Sequence, residues 1–200
     1  MFQIRIHGRG GQGVVTAAEL LSVAAFAEGR HAQAFPSFGS ERTGAPVVAF
    51  CRIDDRPIRL REPVGAPDCL IIADASLLGT IDLLAGLRPD GYVLLNSTRD
   101  WAAVGLGDVS DRLPPGHARM VAATDLALAH VGRPVPNAAL LGGFAALTGL
   151  ITLPSVEAAI RERFPAKIAD GNVAAAAQAF ARVQAREHAH RRRVNHATPA

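Results

Sequence analysis

Phe2-Gln3-Ile4-Arg5-Ile6-His7-Gly8-Arg9-Gly10-Gly11-Gln12-Gly13-Val14 decides how the chain begins to fold. Residues 2–7 alternate apolar and polar side chains, the period of a half-buried strand. Gly8 to Gly13 then fits the G-x-G-x-x-G spacing of a tight strand-to-helix turn. From residue 14 to residue 28 the period changes, and Ala17, Leu20, Leu21, Ala24 and Ala25 fall on one helical face. Gly29 is placed to end that helix, and residues 31–35 read as a second strand. Strand, turn, helix and strand in this order open a doubly wound α/β sheet.

The turn has a chemical use. Glycine tolerates positive φ and lets backbone approach a bound anion closely. The helix that follows directs free N–H groups and its positive dipole end at the same spot. A phosphate or pyrophosphate is the natural guest. The same glycines also suit a tight turn that only packs helix on strand, so the motif alone leaves both readings open. A dinucleotide site further requires an acid near the end of the second strand to hold the ribose hydroxyls. Arg30-His31-Ala32-Gln33-Ala34-Phe35 supplies none.

Further along, residues 47–53 form a β-rich run and Asp54-Asp55-Arg56-Pro57 a turn, with residues 58–60 expected to return as a hairpin. Cys69-Leu70-Ile71-Ile72-Ala73 has the continuous apolar character of a strand buried on both faces. A helix is expected over 75–84, strands over 92–95 and 118–122, and a Thr124-capped helix to about residue 130. Helices are expected over 138–150, 155–163 and 167–188. Asn137 reads as an N-cap, and Ala169-Asp170-Gly171-Asn172 as a local cap or kink. The expected architecture is α/β, a Rossmann-like three-layer domain with a mostly parallel sheet and a helical C-terminus. Residues 1–187 form the domain and 188–200 a basic tail.

The loop Phe35-Pro36-Ser37-Phe38-Gly39-Ser40-Glu41-Arg42-Thr43-Gly44-Ala45-Pro46 leaves the second strand at its carboxyl end, where open α/β sheets place ligands. Its hydroxyls and its Glu41 and Arg42 suit polar ligand groups or a docked partner. Asp74 and Asn96-Ser97-Thr98 lie at strand ends on the same expected rim.

Bulk properties remove several function classes. With 49% hydrophobic and 20% charged residues the chain is globular rather than disordered. Cys51 and Cys69 form no paired motif, which excludes a disulfide framework or a cysteine-ligated cluster here. The seven histidines show no metal-ligand spacing with Cys or acidic partners. Glycine, proline or charge interrupts every apolar run before membrane-spanning length, and residues 1–6 leave no room for a signal peptide. A soluble, cytoplasmic chain is expected. The tail carries Arg191, Arg192 and Arg193, yet no aromatic residue follows Phe180 to stack on bases. Its expected role is a solvated terminus or an arm on an acidic partner, not a nucleic-acid site.

Gly8-Arg9-Gly10-Gly11-Gln12-Gly13-Val14, together with Ser37-Phe38-Gly39-Ser40-Glu41-Arg42-Thr43-Gly44, closely resembles the gamma domain of the pyruvate (2-oxoacid):ferredoxin oxidoreductase family. The likeness continues through 67–74, Gly91 to Asn96-Ser97-Thr98, 137–142 and 172–176. What the resemblance implies is a non-autonomous subunit of a complex converting a 2-oxoacid, coenzyme A and an oxidised acceptor into acyl-CoA, carbon dioxide and reduced acceptor. Thiamine diphosphate with magnesium and [4Fe-4S] clusters are then expected on alpha, beta and ferredoxin-like delta partners. Ferredoxin, or a flavin/NAD subunit, would take the electrons. The resemblance puts coenzyme A handling on Gly8, Arg9, Gly10, Gly11, Gln12, Gly13, Ser37, Glu41, Arg42 and Asn96, with no catalytic residue or metal. Phe38 stands where the family more often has tyrosine, and Thr43-Gly44-Ala45 where it has Arg-Gly-Gly/Ala. These departures point to a branch acting on an aryl or branched 2-oxoacid. Two other classes remain: a stand-alone nucleotide-binding or NAD(P)-dependent reductase module, and a scaffold that binds no ligand.

Overall fold

A computed structural model describes the backbone of residues 1–37 and 44–196, with side chains described over the same ranges except 110 and 186–196. Six strands form one sheet in the order β2-β3-β1-β4-β5-β6: β1 Phe2–Arg9, β2 His31–Pro36, β3 Pro46–Asp54, β4 Cys69–Ile72, β5 Tyr92–Asn96 and β6 Ala118–Val121. β1, β4, β5 and β6 pair in parallel. The expected α/β class with a mostly parallel sheet is therefore what the chain adopts. One feature departs from the simple doubly wound opening. β3 runs antiparallel between β1 and β2, with Ile4 opposite Cys51 on one side and Cys69 on the other.

The helices are α1 Val14–Ala27, α2 Val109–Arg112, α3 Ala123–Val131, α4 Asn137–Thr148, α5 Leu153–Arg163 and α6 Ala166–His196. α1 buries Ala17, Leu20, Leu21, Ala24 and Ala25, the face its sequence period selects. These join Ile4 and Ile6 of β1, Leu140 and Phe144 of α4 and Ala176 of α6 in the larger core. A smaller core on the other sheet face gathers Leu70, Ile72, Val93 and Leu95 under Leu77, Leu83 and Val109. That face is covered by short turns and α2, while the long helices share the first. α4 and α6 approach closely because Gly142 has no side chain: a Cβ there would overlap the backbone oxygen of Ala176.

Several expected elements change at their ends. Residues 75–84 do not form one helix: a 3₁₀ turn covers Ala75–Gly79, started by Asp74 Oδ1, which accepts from Ser76 N–H at 2.9 Å. Residues 58–60 do not return as a strand, because Pro57 removes a donor and the chain moves away to cover Arg52. The carbonyl of Glu62 accepts from Arg52 Nη2 at 2.6 Å. Thr124 does not cap α3. Ala122 holds the cap position, and Asn96 Oδ1 accepts from Thr124 N–H at 3.2 Å instead. Asn137 is the first helical residue of α4, with Pro136 in the cap position. Residues 169–172 do not cap a helix: they lie inside α6, where Gly171 lets the helix pass the carbonyl of His130. α6 also runs to His196, past the expected helix end at residue 188.

Candidate functional site

The glycine turn is held from below. Gln12 Oε1 accepts from Arg9 N–H at 2.8 Å, and Gln12 Nε2 donates to Asp74 Oδ2 at 2.9 Å. One side chain thus ties the turn to the carboxyl end of β4. Arg9 completes the brace: its Nε lies 3.3 Å from Asp74 Oδ2, its Nη2 donates to Ser76 Oγ at 2.9 Å, and its Nη1 donates to the Gly44 carbonyl at 3.0 Å. Burial alone would raise the Asp74 pKa. Hydrogen bonds from Ser76 and Gln12 and the Arg9 charge outweigh it and hold the carboxyl below its ordinary value. Asp74 is an anchor for the turn.

Two glycines shape the surface above this brace. Gly11 and Gly13 have φ of +95° and +73°, a region costly to residues with a Cβ. Gly13 is the cap residue of α1 and offers no side-chain acceptor. The first intrahelical bond is Ala17 N–H to the Gly13 carbonyl at 2.8 Å. The N–H groups of Val14, Val15 and Thr16 are left without intrahelical acceptors, and no acid lies in the first turn. That end of α1 is electropositive and has the chemistry to hold an anion.

It opens into a cleft of about 580 Å³, within the range of small-molecule sites. Arg9, Gly10, Gly11, Gly13, Val14, Val15 and Thr16 line one side. The rest of the lining includes Val131 at the end of α3, Arg133 and Val135 from the α3–α4 connection, Asn137 at the start of α4, and Phe164, Ile168 and Asn172 from the α5–α6 region. The cleft mixes apolar side chains with Arg9, Thr16, Arg133 and two asparagines. Asn137 and Asn172 are buried, 4% and 6% exposed.

The sequence-predicted residues divide in three. Arg9, Gly10, Gly11 and Gly13 come together at the cleft. Gly8, Gln12 and Asn96 lie behind it. A Cβ on Gly8 would meet Val14 Cγ2 at 2.5 Å, so that glycine packs the helix against the strand. Asn96 Nδ2 donates at 2.8 Å both to the Ala73 carbonyl and to Thr124 Oγ1, fastening β4, β5 and α3 together. Ser37 is exposed at the end of β2 and donates its N–H to the Val48 carbonyl at 2.8 Å. Glu41 and Arg42 lie outside the described residues. The near flank of their loop does reach the turn: Gly10 N–H donates to the Ala45 carbonyl at 2.9 Å and Gly44 N–H to the Gly10 carbonyl at 3.2 Å.

Sequence reasoning missed Arg133 and Asn172 as cleft residues and weighed Asn137 toward a cap. No local pattern marks Arg133. Asn172 looked like part of a helix break. Among the described residues no group of His, Cys, Asp and Glu is arranged to hold a metal ion. Cys51 and Cys69 are fully buried in the strands flanking β1.

Comparison with known proteins identifies the family. The model of the family described as pyruvate ferredoxin/flavodoxin oxidoreductase matches residues 3–182. The chain is 46% identical over 184 residues to pyruvate synthase subunit PorC of Methanothermobacter thermautotrophicus, covering 92% of this chain and 97% of that protein. It is 47% identical over 182 residues to the pyruvate/ketoisovalerate oxidoreductases common subunit gamma of Thermococcus kodakarensis, covering 90% and 96%. The crystal structure of pyruvate oxidoreductase subunit PORC from Thermotoga maritima superposes with a TM-score of 0.75 at 35% identity, covering 90% of this chain and 95% of that one. The chain therefore belongs to the pyruvate ferredoxin/flavodoxin oxidoreductase family and corresponds to its gamma subunit.

Proposed function

We propose that this gamma subunit handles coenzyme A for a multi-subunit 2-oxoacid oxidoreductase, receiving its phosphate end in the cleft beside the glycine turn. The reaction served is 2-oxoacid plus coenzyme A plus oxidised acceptor to acyl-CoA, carbon dioxide and reduced acceptor. One observation carries the reading: the uncapped start of α1 opens into a cleft flanked by Arg9 and Arg133. Both features favour a phosphorylated ligand.

Carbon–carbon cleavage and electron removal belong, on this reading, to thiamine diphosphate with magnesium and to [4Fe-4S] clusters on alpha, beta and ferredoxin-like delta chains. Electrons leave to ferredoxin or a flavin/NAD subunit. This chain contributes binding and assembly, in the cytoplasm. Among its described residues no helix is long and apolar enough to cross a membrane. A branched 2-oxoacid beside pyruvate is supported by the relative named for pyruvate and ketoisovalerate together. Glu41, Arg42 and the arginine-rich C-terminal residues are proposed contacts to a ligand or a neighbouring chain.

A stand-alone NAD(P)-dependent module fits less well. The end of β2 lacks an acid, and β3 separates β2 from β1, so that strand end does not adjoin the glycine turn. The test is co-purification on a tagged chain followed by reconstitution. The expected result is capture of thiamine-binding and cluster-binding chains, with 2-oxoacid oxidation only in the assembly. Oxidation by the isolated chain, or tight binding of NADH or NADPH to it in calorimetry, would overturn the proposal.

A further inference from the structure

The two asparagines of the cleft each have half of the amide unused, and the halves are opposite. Asn137 Oδ1 accepts from Ala138 N–H at 2.8 Å, while its Nδ2 has no protein partner among the described residues. Asn172 Nδ2 donates to the Ile168 carbonyl at 2.9 Å, and its Oδ1 is the atom without one. Both side chains are more than nine-tenths buried and both line the cleft. α4 and α6 bring them to one cleft by their close packing at Gly142 and Ala176. Arg133 lines the same cleft and makes no ion pair among the described residues.

A free amide donor and a free carbonyl acceptor, in a cleft also lined by Val131, Val135 and Phe164, do not match a bare phosphate. A carbonyl oxygen repels an anion and calls for an N–H or O–H. We infer that Asn137 and Asn172 read a planar group carrying an acceptor beside an N–H, joined to the phosphate held at the α1 end. This rests on the proposed coenzyme A reading and adds a specificity device to it. Two parts of that ligand have the chemistry: a secondary amide of the pantetheine arm, and the edge of the adenine ring. In either case the pair rejects a phosphorylated ligand lacking such a group, because burying an amide against an apolar substituent costs affinity.

The assembled enzyme tests this with N172A, which removes the acceptor in an alanine-rich helix, and with R9A as the control for the cleft itself. Steady-state kinetics in coenzyme A is run with 3′,5′-ADP and with 4′-phosphopantetheine as competing fragments. The expected result for N172A is a rise of about tenfold in KM for coenzyme A, with kcat changed less than about twofold and assembly intact on gel filtration. One fragment loses inhibition by about tenfold while the other keeps it, and the affected fragment carries the group that is read. An unchanged KM in N172A, or equal change in both fragments, overturns the inference. If R9A also leaves KM unchanged, it is the coenzyme A reading of the cleft that fails. If R9A raises KM and N172A does not, only the amide reading fails.

Discussion

A Cβ built on Gly13 falls 2.6 Å from Asn137 Nδ2. The start of α4 therefore packs directly on the start of α1, and the Asn137 side chain reaches the turn because residue 13 is glycine. Substitution by alanine imposes left-handed backbone strain at φ +73° and pushes Asn137 aside. G13A is expected to destabilise the chain by about 2–3 kcal/mol and to raise KM for coenzyme A in the complex. Thermal melting and steady-state kinetics read the two effects separately.

Gln12 is expected to matter for stability more than for binding. Q12L removes the bonds to Arg9 N–H and Asp74, leaving the Arg9 N–H without its acceptor and Asp74 with one donor fewer, at a cost of about 1–3 kcal/mol. Urea unfolding of the two proteins checks this.

His7 gives a pH dependence with a definite sign. It is buried on β1, both ring nitrogens lack partners, and burial, then the neighbouring Arg5 charge, lowers its pKa from 6.5 to about 4. Between those two pH values the unfolded chain binds a proton at this residue and the folded chain does not. Stability at His7 is therefore full above the unfolded value and is lost as pH falls from 6.5 toward 4. H7L is expected to flatten that part of the stability profile, measured by urea unfolding across the window. An identical slope in both proteins contradicts the assignment.

The two thiols are expected to be inert in the native chain. Burial raises Cys51 to about 12, and burial together with the nearby Asp68 raises Cys69 as well. Thiolate is the reactive form. An aromatic disulfide reagent should label neither in buffer and both in denaturant.

Much of the fold was legible because it is local. The alternation of residues 2–7, the glycine turn and the single apolar face of α1 each specify one element without help from the rest. The antiparallel insertion of β3 was not legible, since alternation marks a strand but not its direction or neighbours. The site divides likewise. Arg9, Gly10, Gly11 and Gly13 belong to one short sequence motif and meet at the cleft. Asn96 sits on the expected rim, but its amide is taken by Ala73 and Thr124, a choice set by where α3 lands. Asn137 and Asn172 resemble a cap and a break when read singly. Their shared cleft arises only once α4 and α6 pack together.

Amide hydrogen exchange in the assembled complex, with and without coenzyme A, tests the central claim most directly. Slowed exchange at the amides of residues 11–16 and around 133–137 on adding coenzyme A is the expected result. Protection elsewhere in the complex, with those two segments exchanging at unchanged rates, would contradict a phosphate seat at the start of α1.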